Sequence, residues 1–331
     1  MTPEIFVKVR STLFIPSMTE NTFPNIIQNT TGFQSLTETI NWLQAESFDL
    51  KKNLSTSGVL LFRGFPVSSA EDFDSFSSAF NYGEFTYQES LSNAVRINKT
   101  PKVFTANEAP ADVEIFLHHE MAQTPSYPEK IFFCCLSAAS KGGETPVCRS
   151  DKVFNELSNK HPKWLSKFES LGLKYTTVMP PSDELNSGQG RGWRSTLSVY
   201  DEKEAEEKLK SLGYSWKWLK GKSLLATSPA LPAISVLPDG SKSFFNQIIA
   251  AYRGWKTLEN SSVPPVTFGN GEFIEENILN SIVAIASHFT TLLEWKTGDV
   301  ALVDNRRVMH GRHPYSGVNK REVLVSLARD S

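Results

Sequence analysis

The residue types and spacing best suited to chemistry lie in Phe116-Leu117-His118-His119-Glu120. On an extended strand, side chains two apart face the same side, so His118 and Glu120 converge while His119 points away. On a helix they would diverge. An imidazole and a carboxylate on one face are two corners of a metal site, and a facial set of two histidines and one carboxylate needs one more imidazole from elsewhere. A His and a Glu sharing a solvent-facing strand edge would show the same spacing, so the pair alone is weak. Only six histidines are available to complete it. His161 and His313 each precede a proline, and His288 falls in an amphipathic helical pattern. His310 lies just past the apolar run Val300-Ala301-Leu302-Val303, where a strand end can project it into a site.

Other catalytic patterns fail on inspection. Gly221-Lys222-Ser223 lacks the earlier glycine of a phosphate-binding loop, since position 216 is Trp216. His119-Glu120 begins like a zinc-protease helix, but the second histidine is replaced by Gln123. No dinucleotide-binding glycine turn follows a strand, and no G-x-S-x-G marks a hydrolase serine.

The combination of motifs resembles the taurine dioxygenase/clavaminate synthase-like family of Fe(II)- and 2-oxoglutarate-dependent oxygenases, its clavaminate synthase-like plant members in particular. That family carries H-x-D/E, a Thr about two dozen residues on, a distant His, and an Arg ten to a dozen residues after it. This chain has His118-x-Glu120, Thr145 in Gly142-Gly143-Glu144-Thr145-Pro146, His310, and Arg321. The likeness runs from Gly58-Val59-Leu60-Leu61-Phe62-Arg63-Gly64-Phe65 to the C-terminus. It implies that His118, Glu120 and His310 hold Fe(II) and that Thr145 and Arg321 hold 2-oxoglutarate. It further implies that O₂ oxidises a small polar or acidic molecule, by hydroxylation in the first instance, with release of succinate and CO₂. A buried guanidinium fork suits the far carboxylate of a dicarboxylate. Arg312 and Arg307 are the next candidates for that anchor. Two other classes use the same residues: a catalytically silent binding protein of the same fold, and a metal-dependent hydrolase, for which no dedicated general base stands out.

For the primary substrate the candidates are Arg191 and Arg194, in Gly190-Arg191-Gly192-Trp193-Arg194, and Asn246 after Phe244-Phe245. Guanidinium groups suit carboxylates, and a buried amide can orient a donor or an acceptor. Pairing of the two arginines with Asp183 or Glu184 on the surface is the plain alternative.

These residues need elements to position them. Ser35-Leu36-Thr37-Glu38 reads as a capping box opening a helix, and Ser68 with Glu71 signals another. Val59-Leu60-Leu61-Phe62, Val103-Phe104-Thr105, Ile115-Phe116-Leu117, Ile131-Phe132-Phe133, Asp299 to Val303 and Glu322 to Leu327 read as strands. Asp201 to Leu212 is a charged helix with Glu204/Lys208 and Glu206/Lys210 pairs and Gly213 after its end. Ile274, Ile278, Ile282 and Ile285 mark a later amphipathic helix. Residues 179–193 are rich in Pro, Gly and Ser without apolar periodicity, as lids and binding loops often are. This is not the βαβ rhythm of a parallel sheet. The expectation is a mainly β fold with flanking helices, and the resemblance implies a double-stranded β-helix (jelly roll). It forms a single domain over 1–331, with a lid or insert near 179–215.

Composition fits a large packed core: 40% of the 331 residues are hydrophobic, with 22 Phe and 7 Trp. A formal net charge of −2 excludes a nucleic-acid binder's balance. No apolar run reaches the roughly 18 residues that span a bilayer, and residues 1–16 hold no apolar signal core. Cys134, Cys135 and Cys148 have no metal-binding or disulfide spacing. A soluble, cytoplasmic protein with a small-molecule substrate, no nucleic acid and no membrane is expected.

Overall fold

The computed structural model describes residues 23–30, 32–85, 91, 92, 94–184, 190–255 and 263–330. Its core is two sheets of mostly antiparallel strands. In the larger, Asn25–Gln28, Val59–Arg63, Val300–Asp304, Lys130–Ser137, Glu322–Arg329 and Gly83–Glu84 lie in that order, and Val103–Thr105 also pairs with Glu322–Arg329. In the smaller, the order is Thr290–Leu293, Thr145–Arg149, Val308–Arg312, Ile115–His118.

Strand alternation divides the larger sheet's apolar side chains between two cores. Leu61, Ile131, Phe133, Ala301, Val303, Val323 and Val325 share a cluster with Leu293, Val147 and Val308 of the smaller sheet, so the two sheets face one another. The neighbouring positions Leu60, Phe62, Phe132, Cys134, Leu302 and Leu324 turn outward against Leu43, Leu50, Leu54, Phe73 and Phe76 of helices Leu36–Ala45, Ser47–Ser57 and Ala70–Ser78. The smaller sheet's outer face, with Cys148 and Met309, is covered by helices Ser150–Lys160, Pro162–Leu171, Ile248–Gly254 and Glu276–His288. All three cysteines are unpaired and buried in these cores.

The Ser35/Glu38 capping box forms as expected. The next one falls a residue later than expected, at Ser69 and Asp72, because the Asp72 carboxylate can accept both the Ser68 and Ser69 N–H groups. The charged helix is Glu202–Ser211, yet its expected internal pairs give way to outside partners. Glu204 accepts the Tyr200 N–H, Lys208 donates to the Leu197 carbonyl, and Glu206 accepts the Trp218 indole N–H.

A further four-stranded sheet, Ser215–Trp218, Leu224–Thr227, Leu173–Met179 and Val266–Phe268, had no clear sequence signal. Within the expected lid region, residues 185–189 lie outside the described ones. The described remainder includes the helix Trp193–Leu197, and Trp193 is fully buried among Leu197, Ala205, Leu209 and Leu224. No helix among the described residues is long and apolar enough to cross a membrane.

Candidate metal and cosubstrate site

The strand Ile115–His118 pairs with Val308–Arg312 such that His118 and His310 stand directly opposite, with ring centroids 4.3 Å apart. His310 therefore sits within a strand of its own rather than just past the one before it. The register breaks between His310 and Arg312, and Gly311 occupies that irregularity. A Cβ there would collide with the Ile115 carbonyl oxygen, so only glycine lets the strands close around the two imidazoles.

The strand ends at His118, and Glu120 stands in the turn beyond it. The expected convergence occurs, but the Asn305 side chain holds the turn. Glu120 N–H donates to Asn305 Oδ1 at 2.8 Å, and Asn305 Nδ2 donates to the carbonyls of Glu120 at 3.0 Å and Pro128 at 2.7 Å. Asn305→Ala orphans three buried backbone groups at roughly 1–3 kcal/mol each, so a loss of about 3 kcal/mol or more is expected in urea denaturation. A loss below about 1 kcal/mol would show that the turn holds itself.

Donor atoms of His118, Glu120 and His310 all lie within 4.8 Å of one another. Glu120 Oε2 is 3.4 Å from His310 Nε2 and 3.9 Å from His118 Nε2. His118 Nδ1 lies 2.8 Å from the Phe116 carbonyl, a contact that requires the proton on Nδ1 and leaves the Nε2 lone pair facing the cluster. Burial, with His310 nearby, pushes His118 down to about 4, which keeps it a neutral donor. Burial alone would raise the Glu120 carboxyl, but Arg96 and the two imidazoles outweigh it and hold the group well below the usual carboxylate range.

His119 points away, as its spacing predicted. It is buried, its Nδ1 faces the Asn305 carbonyl, and its ring packs 4.6 Å from that of Phe245. Burial pushes it down to about 3. Because His118 and His119 ordinarily titrate near 6.5, the unfolded chain takes up protons below that pH that the folded chain refuses. Stability is thus complete above pH 6.5 and lost as pH falls toward 4 and 3, by on the order of 1 kcal/mol per pH unit for each group. Urea midpoints of chelator-treated protein should drop between pH 7 and 5; a flat profile would contradict this.

The cluster opens into a cavity of about 820 Å³, its solvent-filled mouth included. Thr145 and Arg321 line it too. Thr145 Oγ1 accepts the Trp295 indole N–H at 2.9 Å, which leaves its own hydroxyl proton available. Arg321 Nε donates to the Gly143 carbonyl at 3.0 Å, which fixes the guanidinium plane. Gly143 has φ +76°, and a Cβ would meet Arg321 Cδ at 2.9 Å, so glycine is needed on both counts. Burial and the nearby Arg312 push Arg321 down to about 10, still cationic at neutral pH.

The other candidates are engaged otherwise. Arg307 pairs with Asp151 and Asp239, far from the anchor role considered for it. Arg312 lines the cavity but donates to the carbonyls of Asn107, Ala109, Pro110 and Val113. Arg191, Arg194 and Asn246, expected to bind substrate, do not line the cavity. Arg191 donates to the Ser92 and Ser195 carbonyls, and Arg194 donates to Tyr200 and Pro181 while lying over the Trp193 ring. The Asp183 carboxylate accepts from Gly192 N and Ser195 Oγ. Asn246 bonds inward, to the Ala233 carbonyl and the Ile248 N–H. Three contributors escaped the sequence reading: Arg96, Trp295 and the cavity-lining Gln123.

The chain belongs to the taurine catabolism dioxygenase TauD, TfdA family, which it matches over residues 28–327. It is 37% identical over 288 residues to the clavaminate synthase-like protein At3g21360 of Arabidopsis thaliana, covering 87% of this chain and 86% of that one. It is 30% identical over 291 residues to the dapdiamide synthesis protein DdaC of Enterobacter agglomerans, covering 83% of each. The structure of PvcB from Pseudomonas aeruginosa shares the fold, with a TM-score of 0.51 and 15% identity over 93% of this chain and 86% of that one.

Proposed function

We propose that this protein is an Fe(II)- and 2-oxoglutarate-dependent dioxygenase that hydroxylates a small polar molecule. The reaction consumes R–H, O₂ and 2-oxoglutarate and yields R–OH, succinate and CO₂. The observation that carries this reading is the meeting, in one cavity, of a two-imidazole, one-carboxylate cluster with the Thr145 hydroxyl and the Arg321 guanidinium. The donor set fits ferrous iron: two imidazole nitrogens and one carboxylate on one side would leave the opposite side open. Bound there, iron would supply O₂ activation coupled to decarboxylation of the cosubstrate.

The protein's part is ligation, orientation and exclusion of water. His118, Glu120 and His310 are the proposed ligands. Arg321 would fork onto the distal carboxylate of 2-oxoglutarate while Thr145 donates its hydroxyl proton to the same group. Phe133, Val323 and Val325 give the wall beside them an apolar surface. The facing sheets are read as a double-stranded β-helix, and the whole chain as one domain with a lid or insert near 179–215.

On the substrate side, Ile115, Ala250 and Trp255 accompany Ser92, Asn107, Gln123 and Gln247. Gln247 donates to the His119 carbonyl, whereas Gln123 Oε1 is buried with no hydrogen-bond partner among the described residues. A buried acceptor of this kind calls for a donor, so the substrate is read as presenting an N–H or O–H to Gln123. With Arg96 and Arg312 already engaged, an acidic substrate group has less support than a neutral polar one. The test is Fe(II)-dependent formation of succinate from 2-oxoglutarate, screened against metabolite extracts. Stimulation above the uncoupled rate supports the reading, and no iron-dependent succinate under any condition rejects it.

A further inference from the structure

Glu120 divides its two oxygens. Oε2 faces the imidazoles, while Oε1 takes Arg96 Nη2 at 2.7 Å, in an ion pair whose side chains are only 6% and 5% exposed. Arg96 is itself anchored by neighbouring backbone. Ile97 N–H donates to Thr105 Oγ1, Thr105 N–H to the Ile97 carbonyl, and Glu108 N–H to the Val95 carbonyl. Its guanidinium also lies 5.5 Å from the Phe104 ring centroid. Glu120 is thus held from both ends, its backbone by Asn305 and its outer oxygen by Arg96.

Two physical consequences follow. A glutamate has one more side-chain torsion than an aspartate and can swing both oxygens toward a metal. A guanidinium on Oε1 opposes that swing and confines ligation to Oε2. The buried cation also offsets the ligand's negative charge, so a dianionic cosubstrate meets a more positive site. We propose that Arg96 is a positioning residue that keeps Glu120 a one-oxygen ligand and thereby preserves a coordination position for 2-oxoglutarate. This rests on the dioxygenase reading above.

The consequence is a split that a merely structural brace would not give. Losing an outer partner of a ligand ordinarily costs roughly 10- to 100-fold in metal affinity. In Arg96→Met, by contrast, Mn(II) should bind as tightly as in the parent or tighter, because a positive charge is gone and a second oxygen is free. The Mn(II)-loaded variant should bind 2-oxoglutarate about tenfold more weakly or worse, because the site is less positive and one coordination position is blocked. Water-proton relaxation by the bound Mn(II) should fall, since the second oxygen displaces an exchanging water. Arg96→Lys, which returns a cationic donor to Oε1, should restore 2-oxoglutarate binding to within about threefold.

Should Arg96→Met fail to fold, Arg96→Gln, which removes the charge, must show the same split, with 2-oxoglutarate bound more weakly than by Arg96→Lys. Parent-like relaxation and 2-oxoglutarate affinity would overturn the proposal, as would a parallel fall in metal and cosubstrate affinity. A Mn(II)-loaded parent that does not bind 2-oxoglutarate would instead reject the dioxygenase reading and this proposal with it.

Discussion

His310→Ala is expected to bring iron-dependent 2-oxoglutarate turnover to background and to weaken Mn(II) binding by more than about 100-fold. That exceeds what loss of an outer hydrogen-bond partner of a ligand costs. The argument is geometric. His310 stands opposite His118 across paired strands, and its Nε2 lies 3.4 Å from the Glu120 carboxylate. Its other ring nitrogen has no partner among the described residues, so removing the ring orphans no hydrogen bond there. Because the ring is buried against His118 and Phe133, some stability is lost with it, so metal binding is compared in variant protein that still unfolds cooperatively in urea. His313→Ala is the matched control, because His313 pairs with Glu144 at 3.4 Å and does not line the cavity. Full metal occupancy and turnover in His310→Ala would sink the three-residue ligand set.

Arg321→Ala is expected to weaken 2-oxoglutarate binding by roughly 10- to 150-fold, the equivalent of about 1.5–3 kcal/mol for a hydrogen bond to a charged group. Mn(II) affinity should stay nearly unchanged, since Arg321 is fixed by the Gly143 carbonyl rather than by the cluster's donor atoms. Thr145→Val should give a smaller loss in the same direction. The comparison is made by titrating 2-oxoglutarate into Mn(II)-loaded protein. An unaltered dissociation constant would move the anchor to Arg312, which lines the same cavity. Arg307 is no longer a rival, because Asp151 and Asp239 hold it elsewhere.

What the sequence disclosed and what it hid divide along a physical line. Strand periodicity depends only on neighbouring residues, so the apolar runs at 59–62, 131–133 and 300–303 were legible, as was the divergence of His119 from His118 and Glu120. His310 could be singled out by its place beside an apolar strand, whereas Thr145 and Arg321 stood out only through their joint resemblance to a known pattern. Arg96 was invisible because its partner lies 24 residues away and no local spacing links an arginine to a glutamate at that range. The task of Asn305 in holding the Glu120 turn was hidden in the same way, because it depends on a contact 185 residues distant. Arg191 and Arg194 misled for a related reason. Their guanidinium groups suggested a carboxylate, but backbone carbonyls satisfy them in the fold, and the Trp193 between them belongs to a core rather than a binding surface. Backbone acceptors have no side-chain signature, so sequence cannot reveal when they occupy an arginine. The side sheet around Leu173–Met179 was missed because two of its strands, Ser215–Trp218 and Leu224–Thr227, flank residues that read as a failed phosphate-loop motif.

The measurement that tests the central claim most directly is an anaerobic titration of Fe(II) and 2-oxoglutarate into the intact protein, followed by visible absorption. The account predicts a weak charge-transfer band that requires both additions, saturates at one iron per chain, and is absent in His310→Ala. A binding protein that merely shares the fold, or a hydrolase using the same three residues with zinc, gives no such band. Its absence from the parent at saturating iron and 2-oxoglutarate would contradict the account.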